Sequence, residues 1–147
     1  TDKIEVPIEK IQLKNTDVLN MRDVDASDSG ALCGPKAANL GQLKKMFPEQ
    51  VVEGLVIPFG IFRDHMDQQM PGANSSYWEY LNAMFVEAER MRTTGVSEPE
   101  VENYQLRQLE TLRDAIKKMP LKADFMNQLE TKFKTVLGSD FGKIPVI

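Results

Sequence analysis

The sequence predicts an α/β fold, with a small mixed sheet and a motif helix near residues 1–70 and a three-helix segment over about 74–138. Two observations lead to this class. Short apolar runs rich in β-branched residues occur at 55–62 and 144–147, and such runs are typical of buried strands. Between these runs apolar residues recur every three or four positions, which is the spacing of helices that bury one face.

The first thirty residues predict little regular structure. Residues 4–13 cluster aliphatic side chains around Pro7, which favours a short edge strand or an extended arm. Residues 15–31 are rich in Asp, Ser and Gly and predict an acidic connection with one helical turn. A calcium loop of the EF-hand type is not predicted, because the 23–34 window ends in Gly34 instead of the required glutamate.

A helix is predicted to begin near Lys36 and to end before Pro48, since proline cannot continue a helix. Lys44 and Lys45 are expected to point outward from it. Its apolar positions follow a three-to-four spacing and predict one buried face. These positions are Ala37, Leu40, Leu43 and Phe47.

The later elements are predicted in the order strand, three helices, strand. Residues 55–62 are too few for a typical helix and predict a buried strand that bends at Pro58 and Gly60. Residues 144–147 predict a further strand. The helices are expected over about 75–92, from the Ser97 cap up to Pro120, and over about 121–137.

Three local signals support the helix ends. Ser76 with Glu79 has the pattern of a capping box, and Ser97 with Glu100 repeats that pattern before the next helix. Gly138 is placed to end the last helix as a left-handed cap.

The composition indicates one ordinary domain of 147 residues, with 41% hydrophobic residues and a net charge of −4. An acidic chain is a poor partner for nucleic acid. No apolar run approaches the roughly 20 residues that span a bilayer, and no signal peptide is evident, so we expect a cytoplasmic protein without a membrane partner. The lone Cys33 excludes an internal disulfide and is expected to be buried and inert, and the lone His65 predicts no metal site.

The segment Gly34–Gly41, with sequence G-P-K-A-A-N-L-G, places Lys36 on the turn that opens the predicted helix. Unpaired backbone N–H groups and the helix dipole both stabilise an anion at a helix N-terminus, and the lysine adds a full positive charge. A Gly-x-Lys triplet alone is common, and the sequence has no Walker pattern. The phosphate-site interpretation therefore depends on a second motif, L-V-I-P-F-G, at residues 55–60.

In this order the two motifs resemble the start of the nucleotide-binding domain in the phosphoenolpyruvate synthase and pyruvate phosphate dikinase family. There G-G-K-x-x-N-L runs into a helix and V-P-P-G-F follows. The resemblance covers residues 32–62, about a fifth of the chain, and Pro35 departs from it by replacing the second glycine and removing one N–H. The matching residues are Gly34, Lys36, Asn39, Leu40, Pro58 and Gly60.

The resemblance implies a role for each matched motif residue. Lys36 is expected to neutralise a nucleotide phosphate, Gly34 to let the ligand approach the backbone, and Asn39 to brace the loop by hydrogen bonds. Pro58 and Gly60 are expected to shape the nucleotide cleft without reacting. For Gly34 and Asn39, a plain turn glycine and an exposed helical amide are equally good interpretations.

The resemblance also implies an activity for the full-length protein: an ATP-dependent phosphotransferase that uses Mg²⁺ and passes phosphate through a histidine on a downstream domain to pyruvate. His65 is not that histidine. Relatives with the same ATP-binding start phosphorylate glucans or rifamycins, so the acceptor stays open. The alternative is a degenerate, non-catalytic docking or regulatory module whose phosphate turn is weakened by Pro35.

The resemblance implies a partial ATP-grasp-type domain as the fold. We expect residues 1–70 to hold the sheet and phosphate turn, 71–138 the helices, and 139–147 the start of the next strand. Because the sequence starts without methionine and ends within an apolar run, we expect a fragment that is inactive alone. The metal ligands would then lie beyond Ile147, and the partners would be a nucleotide and the downstream domains.

Overall fold

The computed structural model describes residues 7–147 and shows a mixed α/β fold that is mostly helical. Within these residues the sheet has two strands, β1 (Leu19–Asn20) and β2 (Leu55–Val56), which run antiparallel. Leu19 pairs with Val56, and Asn20 pairs with Leu55. The predicted α/β class is confirmed, although the sheet is antiparallel and not mixed.

Five α-helices follow the chain order within residues 7–147, and the chain groups into two compact units. One unit holds the chain up to Arg63 together with Lys122–Ile147, and the other holds Asp64–Leu121. The helices are α1 (Pro35–Met46), α2 (Phe59–His65), α3 (Tyr77–Thr93), α4 (Glu98–Lys117) and α5 (Ala123–Leu137). No helix of the described residues is long and apolar enough to span a membrane.

The core of the first unit lies between α1, β2 and the turns that precede α1. Its buried residues are Met21, Val24, Cys33, Ala38 and Val56. Gly41 allows α1 to approach this core closely, because an added Cβ would lie 2.3 Å from the carbonyl oxygen of Val24. Two 3-10 turns, Met21–Asp23 and Ala26–Asp28, occupy the acidic connection where one helical turn was predicted.

The predicted orientation of α1 is wrong for Leu40, Leu43, Phe47 and Lys44, whereas Ala37 packs against the core and Lys45 is exposed, as predicted. Ala38, Gly41 and Lys44 form its buried face, and Lys44 is only 4% exposed. Leu40 and Phe47 are each 47% exposed. The face of α1 that packs against Val24 carries the small residue Gly41. The buried Lys44 ammonium donates to the carbonyl oxygen of Pro48. Burial in α1 therefore does not follow the large apolar side chains.

The predicted strand over 55–62 is shorter than expected. Only Leu55 and Val56 pair with β1, and the chain enters α2 at Phe59. Pro58 cannot donate to a ladder, and its carbonyl accepts a hydrogen bond from the Ile61 N–H at 3.1 Å, which belongs to the helical turn. The proline therefore ends the strand instead of bending it.

The predicted strand at 144–147 is also absent: these residues are exposed and have no strand partner in the described part of the chain. A strand needs a neighbour to pair its backbone groups, and apolar composition does not provide one. Of the segment 4–13, residues 4–6 lie outside the described residues, and Ile8–Lys10 forms a 3-10 turn where a strand or extended arm was predicted.

The unit Asp64–Leu121 has its own core, built around Met66, Met70, Tyr77 and Leu112. The capping box at the start of α3 is confirmed, because the Glu79 N–H donates to the Ser76 hydroxyl at 3.0 Å and the Glu79 carboxylate accepts from the Ser76 N–H at 3.3 Å. Across the helix pair, the Tyr80 hydroxyl donates to Gln108 of α4.

Helix α5 belongs to the first unit. Its Gln128 side chain accepts a hydrogen bond from the Val18 N–H and donates to the Thr16 carbonyl at 3.2 Å, which ties the helix to the segment before β1. The helix ends where predicted, at Gly138, whose positive φ of 55° suits a residue without a side chain.

Candidate functional site

The two motifs of the sequence meet in the first unit. The backbone N–H of Phe59 donates to the carbonyl oxygen of Leu32 at 2.9 Å. Val56, on the strand before Phe59, shares one buried cluster with Cys33 and Ala38 on either side of the lysine turn. The fold therefore places the second motif directly beside the segment that leads into α1.

The N-terminus of α1 is open for an anion. Gly34 is its N-cap residue with extended backbone, and no side chain of the described residues caps the helix there. Pro35 occupies the first helical position and has no N–H, so Lys36 and Ala37 supply the first two N–H groups of the helix. Its first turn contains no acidic residue that would compete with a bound anion.

The Lys36 side chain is exposed at this turn. The other two lysines of α1 are occupied: the Lys44 ammonium lies 3.1 Å from a Glu53 carboxylate oxygen, and the Lys45 ammonium lies 2.8 Å from Asp25. Lys36 forms no ion pair within residues 7–147. Among residues 7–147 no carboxylate compensates the charge of Lys36, whereas the charges of Lys44 and Lys45 are compensated.

Packing requires glycine at only one of the two motif glycine positions. A Cβ added to Gly60 would lie 2.0 Å from the carbonyl oxygen of Asn15, so this position requires glycine for packing. A Cβ added to Gly34 would meet nothing within 4 Å, and its φ of −71° suits any residue. Neither packing nor backbone conformation explains Gly34, and open space lies beside its Cα.

The remaining motif residues lie apart from the open turn. Pro58 is fully buried and precedes α2, a position that supports an architectural contribution. Asn39 is exposed on α1, and its side chain makes no hydrogen bond within the described residues. The bracing hydrogen bonds expected of Asn39 are therefore not formed by the residues that the structure describes.

An ion cluster at the other end of α1 was missed in the sequence. The Lys44 ammonium donates to the carbonyl of Pro48 at 2.7 Å and to that of Val51, and it pairs with Glu53. Arg22 binds the same Glu53 carboxylate, and this hydrogen bond is the main reason that the Glu53 pKa is lowered. A lysine in the last turn of a helix can donate hydrogen bonds to nearby carbonyls. The position of Lys44 in the last turn of α1 is therefore the sequence signal that could have revealed this cluster.

Cys33 and His65 do not extend the site. Cys33 is fully buried, as predicted, and burial raises the pKa of its thiol, with the charge of Asp28 as a smaller cause. A buried thiol of raised pKa is a poor nucleophile. His65 is 4% exposed. Among residues 7–147, no group of three or more His, Cys, Asp and Glu side chains is arranged to hold a metal ion.

No protein-family model, curated protein or solved structure matches this chain. The resemblance to the dikinase family therefore depends on the sequence residues quoted above.

Proposed function

We propose that this chain forms part of an ATP-grasp-type nucleotide-binding domain of a phosphotransferase related to phosphoenolpyruvate synthase and pyruvate phosphate dikinase. The observation that carries the proposal is the Phe59 to Leu32 hydrogen bond of 2.9 Å, which sets the second motif beside the segment that leads into the lysine turn. Two motifs that resemble one family in sequence are thus also neighbours in space, as parts of one ligand site need to be.

The proposed ligand contact is a phosphate of ATP at the N-terminus of α1. The Lys36 and Ala37 N–H groups would donate to phosphate oxygens, and the Lys36 ammonium, which has no ion-pair partner among residues 7–147, would add a full positive charge. Gly34, which no packing contact requires, would allow the phosphate to approach the backbone. ATP would supply the phosphoryl group. These residues would hold its phosphate and neutralise the negative charge of that phosphate.

The resemblance implies Mg²⁺ with the nucleotide. The described residues offer no carboxylate cluster for it, so we assign no residue of this chain to the metal. The proposed contribution of this chain is to bind and orient phosphate through cationic and N–H groups.

The phosphoryl acceptor is proposed from the resemblance: a histidine on a downstream domain, and then pyruvate. His65 is a poor carrier because its side chain is 4% exposed, and a carrier must be reached by both donor and acceptor. Glucans and rifamycins stay open as final acceptors, since acceptor choice in such enzymes depends on other domains.

Amide NMR spectra recorded during a titration with Mg-ATP test the proposal. We expect the largest shifts at the Lys36 and Ala37 amides. The N-terminus of α4 is a control within the same molecule, because it too lacks a side-chain cap but carries Glu98 and Glu100 in its first turn. Shifts that are equally large at α4, or absent at α1, would contradict the proposal.

A docking module is the second candidate, and one observation favours it. Leu40, Leu43 and Phe47 extend from Lys36 along the exposed face of α1, and they are 47%, 43% and 47% exposed. Exposed apolar stripes often mark contact surfaces. Pro35 also removes one donor from the phosphate turn. An absence of nucleotide shifts at α1 would favour this candidate.

A further inference from the structure

The second unit carries a feature that nucleotide binding does not use. An open groove of about 510 Å³ lies between the end of α3 and one face of α4. Met91, Val96 and Leu106 supply its apolar lining, and Leu106 is 64% exposed. The polar lining of the α4 side consists of Glu100, Asn103, Arg107 and Glu110.

Two charges of this groove, those of Glu100 and Arg107, have a self-complementary order along α4. Glu100 precedes Asn103 by three residues and Arg107 follows it by four, so the two charges lie about one helical turn to either side. Arg107 forms no ion pair among the described residues. The Glu100 carboxylate accepts a hydrogen bond from the Ser97 hydroxyl at 2.6 Å and keeps other lone pairs for a cation.

We propose that this groove binds a second copy of the same chain, with α4 antiparallel to its counterpart and a two-fold axis near Asn103. This symmetry places Glu100 of each copy opposite Arg107 of the other, which gives two identical ion pairs. Leu106 of each copy enters the apolar part of the groove. Any asymmetric partner would have to supply both a cation and an anion in the matching order, whereas a second copy has them already.

The contact is expected to be weak. One helix face buries less than the roughly 800 Å² per partner of a standard interface, and exposed ion pairs contribute little individually. We therefore expect the full chain to be monomeric when dilute and to dimerise at around 0.1 to 1 mM, with less dimer at high salt. Sedimentation velocity over a concentration series measures this equilibrium.

Charge reversal gives the sharpest test. Arg107→Glu alone and Glu100→Arg alone each place like charges opposite one another, and each is expected to weaken the dimer about tenfold. Mixing the two variants restores both ion pairs, so the mixture should dimerise as tightly as the unaltered chain.

Matched controls reverse the same charges outside the groove. Glu102→Arg and Arg113→Glu lie at exposed positions of α4 that do not line it, and we expect both to dimerise normally. Circular dichroism verifies that every variant keeps its helices. A chain that stays monomeric at 1 mM overturns the proposal, as does a dimer that responds to neither reversal or is not restored by mixing.

Discussion

The Lys44 ammonium lies 3.1 Å from the Glu53 carboxylate although the Lys44 side chain is 4% exposed. This pair and the carbonyls of Pro48 and Val51 hold the C-terminal end of α1 against the segment that leads to β2. The helix that carries the proposed phosphate turn is therefore fixed at its far end by a buried cation.

Lys44→Met tests how much this buried cation stabilises the fold. The substitution keeps much of the side-chain volume but removes the ammonium that donates to the Pro48 and Val51 carbonyls and pairs with Glu53. Hydrogen bonds and ion pairs of a charged group stabilise more than neutral ones. We expect a loss of about 2 kcal/mol in the free energy of unfolding, measured by urea denaturation. Lys45→Met is the matched control: its partly exposed ion pair should contribute less than about 1 kcal/mol. Equal losses for both variants would contradict this assignment.

Gly60→Ala tests the close contact between α2 and the chain at Asn15. The new Cβ would lie 2.0 Å from the Asn15 carbonyl oxygen, so the backbone must shift, and we expect a loss of about 2 kcal/mol or more in stability. Gly34→Ala is the contrast, because nothing lies within 4 Å of its Cβ.

For Gly34→Ala we expect a stability change within about 1 kcal/mol but weaker nucleotide binding. Thermal unfolding compares the two glycine variants. If Gly34→Ala destabilised the protein as much as Gly60→Ala, Gly34 would have a packing role that the structure does not show.

Asp25 makes stability depend on acid pH. Its pKa is lowered from the usual 3.8 to about 2, first by the hydrogen bond from Lys45 and then by those from Ser27. At a pH between the folded-state and unfolded-state pKa values of Asp25, the unfolded chain binds more protons than the folded chain. The stabilisation from Asp25 should thus be complete above about pH 4 and be lost as the pH falls toward 2.

Urea midpoints of the unaltered protein and Asp25→Asn measure this effect. The difference between them should shrink between pH 5 and pH 2, because the variant has no carboxylate to protonate at this position. A difference that stays constant across this range would show that the Lys45 and Ser27 contacts do not favour the ionised form.

The local signals in the sequence predicted where helices begin and end better than they predicted how the helices pack. Ser76 with Glu79 and the glycine at 138 act within one helical turn, so their effect can be read without the rest of the fold. The burial of Lys44 depends on carbonyls that approach only when the chain after Pro48 folds back. The α1 sequence has candidate residues on both faces, and periodicity alone selected the wrong one.

The candidate site was predictable only in part. The motif identified Lys36 and the helix start, and the structure has α1 beginning at Pro35. The hydrogen bond between Phe59 and Leu32 joins residues far apart in sequence, and spacing does not reveal it. The sequence predicts a strand over 55–62 because β-branched and aromatic residues surround Pro58, but residues 59–62 belong to α2. The close contact of Gly60 with Asn15 is a tertiary effect.

Calorimetric titration of Mg-ATP into the unaltered protein and into Lys36→Ala tests the central claim most directly. Lys132→Ala, which removes an exposed lysine from α5, controls for the change in net charge. We expect saturable binding that Lys36→Ala weakens at least about tenfold and Lys132→Ala leaves unchanged. Absence of binding by the folded, unaltered protein, or equal binding by all three proteins, would contradict a nucleotide phosphate site at the start of α1.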